Sequence, residues 1–244
     1  MRDGPDPMPE VNRLEVFGET PAATERIAPG YCGADMEAEH VARYRWAAAA
    51  VRGQGVLDVA CGTGYGSALL LRAGARSVCS LDVSAAALAF GRARYAGPAY
   101  ARADALDIPL RAGSVDAAVS LETIEHLIDA RRFLVELRRV LRPGGTLRLS
   151  SPNVVVTGNA NPYHVDEMTL DELQALLRAT GFRVTGVWGQ CWRLRARRGI
   201  WRVKGFGRLA HELSRRRHVW NLPGRLGFRP AYWCVSAIAG GPSG

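Results

Sequence analysis

Short apolar runs alternate with amphipathic ones along most of this chain. Residues 55–60, Ser77 to Leu81, Val115 to Leu121 and Thr146 to Ser150 are apolar stretches of strand length, and a shorter one lies near Ala99–Arg102. Helical spacing falls between them. Met36 to about Arg52 places Val41, Tyr44 and Ala48 on one face, and Gly53-Gln54-Gly55 ends it. Leu69, Leu70 and Leu71 follow the first strand, and Ser84 is placed to cap a helix running to about Tyr95. Asp129 is placed to cap a helix carrying Phe133, Leu137, Val140 and Leu141, which Pro143-Gly144-Gly145 stops. Thr169-Leu170-Asp171-Glu172 reads as a capping box, and its helix stops at Gly181. Phe182–Trp188 and Ala231–Ala239 read as two last strands.

Strands alternating with helices imply an α/β fold with a parallel, doubly wound sheet. Four parts are expected: an extended, Pro-rich arm (1–35), a core (36–190), an insertion (191–230), and a last strand with a short flexible tail (231–244). A chain of 244 residues, 48% apolar, suits one such domain with additions. It has no apolar run of the roughly 18 residues a membrane span needs. Met1 to Pro9 lacks the apolar centre of a signal peptide. Cys32, Cys61, Cys79, Cys191 and Cys234 are odd in number and lack metal-type spacing, so reduced thiols and a cytoplasmic location are expected.

Charge changes this picture in one place. The net charge is +9, but residues 191–230 alone carry eleven Arg, Lys204 and a single acid, Glu212, so the rest of the chain is slightly acidic. Lys204 is the only lysine in the chain, so the use of Arg reads as genomic composition and not as phosphate recognition.

The densest chemical signal is Val56-Leu57-Asp58-Val59-Ala60-Cys61-Gly62-Thr63-Gly64-Tyr65-Gly66, an apolar strand entering a glycine turn and then a helix. Glycines there permit positive φ and close approach of a ligand. Ligands of open parallel sheets bind at the carboxyl ends of the strands. A dinucleotide fingerprint would need a third glycine where Ser67 stands. Asp82 closes strand two, eighteen residues after Gly64, where an acid can accept both hydroxyls of a ribose.

This stretch resembles the first motif of class I S-adenosylmethionine (SAM)-dependent methyltransferases. The resemblance extends over about two-thirds of the chain, through Glu39-His40-Val41-Ala42-Arg43-Tyr44, Glu122 to His126, Leu141-Arg142-Pro143-Gly144-Gly145, Ser151-Pro152-Asn153 and Asn161-Pro162-Tyr163-His164. The similar group is bacterial and associated with sugar or secondary-metabolite pathways. It implies a Rossmann-like sheet of seven strands, the last antiparallel, with the basic insertion between strands six and seven. It also implies SAM as cofactor. Asp58, Ala60, Gly62 and Gly64 would lie at its amino-acid end, Asp82 and Val83 at the ribose, and Asp104 and Ala105 at the adenine. Glu122 would line the same pocket. Tyr44 and Arg43 either reach the methionine end or are a packed aromatic and a surface charge. His40, His211 and His218 read as surface residues.

Glu122-Thr123-Ile124-Glu125-His126 follows strand four at the rim of the glycine turn. The Glu-x-x-Glu-His pattern is similar to that of ubiquinone-type O-methyltransferases and of small-RNA 3′-terminal ribose methyltransferases. In the RNA group such residues and a later histidine hold a divalent ion, so Glu122, Glu125, His126 and His164 are candidate ligands for Mg²⁺ or Mn²⁺. Carboxylates suit a hard cation, and imidazoles shift preference toward transition metals. The alternative is metal-free: Glu122 lines the SAM pocket, His126 is general base, and Glu125 and His164 serve the acceptor.

The insertion interleaves Arg with Trp192, Trp201, Phe206, Trp220 and Phe228, and Val203, Phe206, Leu209, Ala210 and Leu213 share a helical face. Nucleic acid, an anionic membrane, a phosphate-bearing substrate under a lid, or simple packing on the domain all fit that pattern. The expected function is methyl transfer to a hydroxyl of a small-molecule acceptor, a sugar or sugar-bearing natural product. Methylation of an RNA 3′-terminal ribose and a non-catalytic SAM-binding partner are the alternatives. The sequence leaves the oligomeric state open.

Overall fold

A computed structural model describes residues 28–30, 32, 34–194 and 228–240. The expectations for most of the N-terminal arm, the middle of the basic insertion and the tail lie outside these residues. The element order is α1 (Ala34–Ala48), β1 (Gly55–Val59), α2 (Tyr65–Arg72), β2 (Ser77–Asp82), α3 (Ala85–Arg94), β3 (Ala99–Arg102) and β4 (Val115–Leu121), then a 3₁₀ turn (Ile124–His126). There follow α4 (Ala130–Val140), β5 (Leu141–Pro152), α5 (Val154–Thr157), α6 (Leu170–Ala179), β6 (Phe182–Leu194) and β7 (Phe228–Ala239).

The seven strands form one sheet in the order β3-β2-β1-β4-β5-β7-β6. The first five are parallel, and β7 runs antiparallel to both its neighbours. The order reverses between β1 and β4, which opens a crevice at their carboxyl ends, where such sheets bind ligands. β1 and β4 are buried along their whole length. Their alternate residues feed two cores. Val56, Ala117 and Val119 pack with Tyr44 and Leu70 of α1 and α2, while Leu57 and Ala118 pack with Phe133, Leu137 and Leu177 of α4 and α6.

The caps read from sequence are formed. Ser84 accepts from Ala87 N–H at 3.2 Å, Asp129 from Arg132 N–H at 2.8 Å, and Thr169 and Glu172 cap reciprocally. Each satisfies a donor that a helix start leaves open.

Several boundaries differ from expectation. α1 ends at Ala48 and not near Arg52, because Ala49, Ala50 and Val51 bond to carbonyls three residues back and the helix tightens into turns. Leu141 is not helical: with ψ of 133° it is extended and pairs with Val115. Pro143-Gly144-Gly145 fall at a register shift within β5, where Gly144 takes φ of 77°. The β6–β7 hairpin runs past Trp188 and Ala231 to pair Leu194 with Phe228, so the ends of the expected insertion are strand. No helix among the described residues is long and apolar enough to cross a membrane, and all five cysteines are free thiols.

Candidate active site

At the carboxyl ends of β1, β2 and β4 lies a cavity of about 740 Å³. Of the residues expected at the site, Tyr44, Ala60, Gly62, Asp82, Val83, Asp104, Ala105, Glu122, Glu125, His126 and His164 line it. Asp58 and Gly64 do not.

Two wall residues without glycine's freedom are left-handed: Ala60, after β1, at φ 57°, and Glu122, after β4, at φ 54°. Such strain costs about 1–3 kcal/mol and persists where surroundings impose it. At Gly62 a side chain would meet nothing within 4 Å, so its bareness leaves room in the cavity. Gly64 serves packing instead, since a Cβ there would come within 2.6 Å of the Tyr100 ring. Asp82 ties the two turns together. It accepts from Gly62 N–H at 2.9 Å and from Ser84 N–H at 2.8 Å.

Asp58 sits behind the wall, fully buried. It accepts from the Ser67 hydroxyl at 2.6 Å and the Tyr44 phenol at 3.2 Å. Burial, opposed by these two bonds, pushes its carboxyl up to about 7. The Tyr44 phenol is pushed well above its ordinary value by burial and by Asp58. Asp58 thus reaches the cavity through Tyr44 rather than by direct exposure.

Arg43 is a buried cation, not a surface charge, at 1% exposure. It donates to Gln190 at 2.6 Å, stacks over Tyr232 with its guanidinium carbon 4.5 Å from the ring centroid, and lies 3.9 Å from Glu122. Glu122 also accepts from the Ser150 hydroxyl at 2.6 Å, while Ser150 accepts from Glu122 N–H. These contacts hold its carboxylate on the β5 side. His40 is likewise not a surface residue. It lines the cavity, and burial and then Arg43 hold its imidazole well below the ordinary value.

Glu125, His126 and His164 converge, each offering a ligand atom within 4.8 Å of the others. Glu122, the fourth expected ligand, is not in that group. Glu125 is fully buried, and neither carboxylate oxygen has a hydrogen-bond partner. Burial, then Glu122, raises its pKa well above the usual carboxylate range. A buried, unpartnered carboxyl is costly, so it is either protonated or met by a ligand. His126 Nδ1 lies 3.1 Å from the Tyr163 carbonyl, and its ring stands edge-on to His164 at a centroid distance of 4.8 Å. The carbonyl only accepts, so Nδ1 carries the proton and Nε2 is the basic nitrogen.

Comparison with known proteins agrees with this geometry. Residues 57–149 match the family described as "Methyltransferase domain". A probable S-adenosylmethionine-dependent methyltransferase of Mycolicibacterium smegmatis is 36% identical over 175 residues, which cover 69% of this chain and 68% of the relative. The chain belongs to the SAM-dependent methyltransferases. A Mycobacterium tuberculosis protein described in the same words is 39% identical over 132 residues, and the match spans 48% of its length and 52% of this chain. An O-methyltransferase of Penicillium expansum is 31% identical over 150 residues, covering 56% of this chain and 54% of the relative. A solved SAM-dependent methyltransferase from Mesorhizobium loti shares the fold, with a TM-score of 0.60 at 23% identity over 82% of this chain and 99% of that one.

The methyltransferase therefore uses SAM, and its sheet, with β7 reversed, is the one the resemblance implied. Several cavity residues escaped the sequence reading. Met36, Thr123, Tyr163 and Tyr232 line the wall, and Arg43 and Gln190 support it. Tyr163, Thr123 and Arg43 stand in quoted motifs, but without a wall or supporting role assigned from them. Gln190 and Tyr232 are ordinary residues in sequence and become part of the site through pairing of β6 and β7 with the core.

Proposed function

We propose that this methyltransferase methylates a hydroxyl of a small molecule, a sugar-bearing natural product with an apolar body. The observation that carries this reading is the convergence of Glu125, His126 and His164 on the wall beside the glycine turn. SAM supplies an electrophilic methyl group. Asp82 would hold its ribose and Asp104 with Ala105 its adenine, while the bare face of Gly62 gives its chain room. What the reaction still requires is an oriented oxygen that loses its proton. His126, its Nδ1 proton directed to the Tyr163 carbonyl, takes the hydroxyl proton at Nε2. The similarity to fungal proteins described as O-methyltransferases supports oxygen as the acceptor atom. Exposed Met36 and Tyr163 line the cavity, a wall that suits an acceptor with an apolar part better than a free sugar.

A second reading is favoured by the orphaned carboxyl. Glu125, His126 and His164 would hold a divalent cation such as Mg²⁺ or Mn²⁺, which would acidify a bound hydroxyl. Glu122, engaged by Ser150 and Arg43, would not join them, which removes one of the four ligands required for the RNA-type site.

The test is transfer of labelled methyl from SAM to a panel of free sugars, phenols, aromatic glycosides, amines and enolisable carbon acids, before and after exhaustive chelation. Turnover of glycosides over free sugars supports the proposed acceptor. Turnover surviving chelation, and lost in His126→Ala, supports the base. Loss on chelation with SAM binding intact supports the cation. Transfer only to nitrogen or carbon acceptors would overturn the reading.

A further inference from the structure

Glu167 belongs to none of the motifs above and does not line the cavity, yet its side chain is only 1% exposed. One carboxylate oxygen accepts from the Thr157 hydroxyl and from Asn159 N–H, the latter at 3.0 Å. The other lies 2.5 Å from His164 Nδ1. On the far side of the same ring, Asn161 Nδ2 is 2.9 Å from Nε2. Asn161 Oδ1 accepts from Tyr163 N–H at 3.1 Å, which fixes the amide with its NH₂ toward the imidazole. His164 therefore meets an acceptor at Nδ1 and a donor at Nε2. Only the neutral tautomer with the proton on Nδ1 satisfies both.

We infer that Glu167 is a positioning residue: it fixes His164 with its proton on Nδ1, so that Nε2 is the atom presented to an incoming hydroxyl or cation. Asn161 Nδ2–H occupies the place such a donor would take, and it holds Nε2 unprotonated until the acceptor enters. By tying Thr157 and Asn159 with its second oxygen, Glu167 also anchors the start of the loop that carries Asn161, Tyr163 and His164. A ring held this way loses no orientation on meeting its ligand, the usual service of a carboxylate behind a working histidine.

The sharpest perturbation is Glu167→Gln. The amide oxygen is drawn to the side with two donors, Thr157 and Asn159. Its NH₂ then faces His164 Nδ1, which must become an acceptor. Reversing the ring's tautomer also obliges the Asn161 amide, whose NH₂ would otherwise face the new Nε2–H, to turn its Oδ1 inward and give up the bond from Tyr163 N–H.

The test is ring-nitrogen NMR of the ¹⁵N-labelled full chain at alkaline pH, with His164→Ala used for assignment. The expected result is Nδ1–H at His164 in the wild type and Nε2–H in Glu167→Gln. Asn161→Ala should keep Nδ1–H, since Glu167 remains. Wild-type Nε2–H, retention of Nδ1–H in Glu167→Gln, or reversal in Asn161→Ala would each overturn the inference. The last two measurements are independent, so a Gln variant that fails to fold leaves the other decisive. These outcomes need no acceptor, so they stand apart from the O-methylation reading. Where that reading holds, Glu167→Gln should also lower kcat at least about tenfold while SAM affinity stays within about twofold. A purely structural role would instead move SAM affinity and leave the tautomer unchanged.

Discussion

Asp58 offers a quantitative test of how the glycine turn is built. It lies on central strand β1, fully buried, and its two hydrogen-bond donors, Ser67 and Tyr44, are both neutral. Burial, opposed by the Ser67 and Tyr44 bonds and helped by the Asp82 charge, lifts its pKa from the ordinary 3.8 to about 7. In the unfolded chain the same carboxyl ionises near its ordinary value. Between these two values the folded state holds a proton that the unfolded state has lost. Stability must therefore fall as pH rises through this window, by up to about 1.4 kcal/mol per pH unit. The full cost, about 4 kcal/mol at most, is reached above pH 7 and is absent at pH values below the unfolded pKa. That is a large share of the roughly 5–15 kcal/mol that holds a domain together.

Urea unfolding of the SAM-free protein between about pH 5 and pH 8 measures this, with Asp58→Asn as the comparison. The amide of that variant carries no charge at any of these pH values. Its stability relative to wild type should improve by about 1 kcal/mol per pH unit up to about pH 7 and then level off. Glu125 contributes with the same sign, because burial raises its pKa too, but it is present in both proteins and cancels in the difference. Parallel stability curves for the two proteins would refute the reasoning and mean that Asp58 ionises without cost behind the turn.

Two further outcomes follow from the cavity wall. Asp82→Ala should weaken SAM binding by calorimetry by about tenfold or more, since charge-assisted hydrogen bonds are worth about 1.5–3 kcal/mol each. Unchanged affinity in a folded variant would place the ribose elsewhere. Gly66→Ala would set a Cβ 2.0 Å from the Tyr44 ring, so the ring must move and carry its bond to Asp58 with it. A loss of about 1–3 kcal/mol in unfolding free energy, together with weaker SAM binding, is expected, and an unperturbed melting curve would contradict the packing.

The layout of the site was legible where a motif and a strand end coincide. Gly62, Asp82 and Asp104 reach the cavity at or just past the ends of strands that the alternation implied, while Glu125, His126 and His164 were legible through the motifs of the family resemblance. What stayed hidden depends on orientation and on long-range pairing. Asp58 lies within the strand that the motif begins, where side chains alternate between faces, and it falls on the face of Val56, toward Tyr44 and α2, rather than at the mouth. The place of Arg43, at the site or on the surface, stayed open because nothing local shows that the β6–β7 hairpin brings Gln190 and Tyr232 onto α1.

Glu122 and Glu125 are the most instructive pair. Spacing alone puts them on one helical turn, and a helix would aim both at the same ligand. The chain instead enters a 3₁₀ turn of three residues, Ile124–His126, after a left-handed Glu122. That single positive φ redirects the Glu122 side chain to Ser150 and Arg43, while Glu125 is carried inward beside the two histidines. The partner His164 does acquire is Glu167, three residues on, a spacing visible in the sequence. It carries no weight there, because an acid at that distance is as often solvated as paired. Only burial, which leaves the Glu167 carboxylate no water to turn to, makes the pair an element of the site.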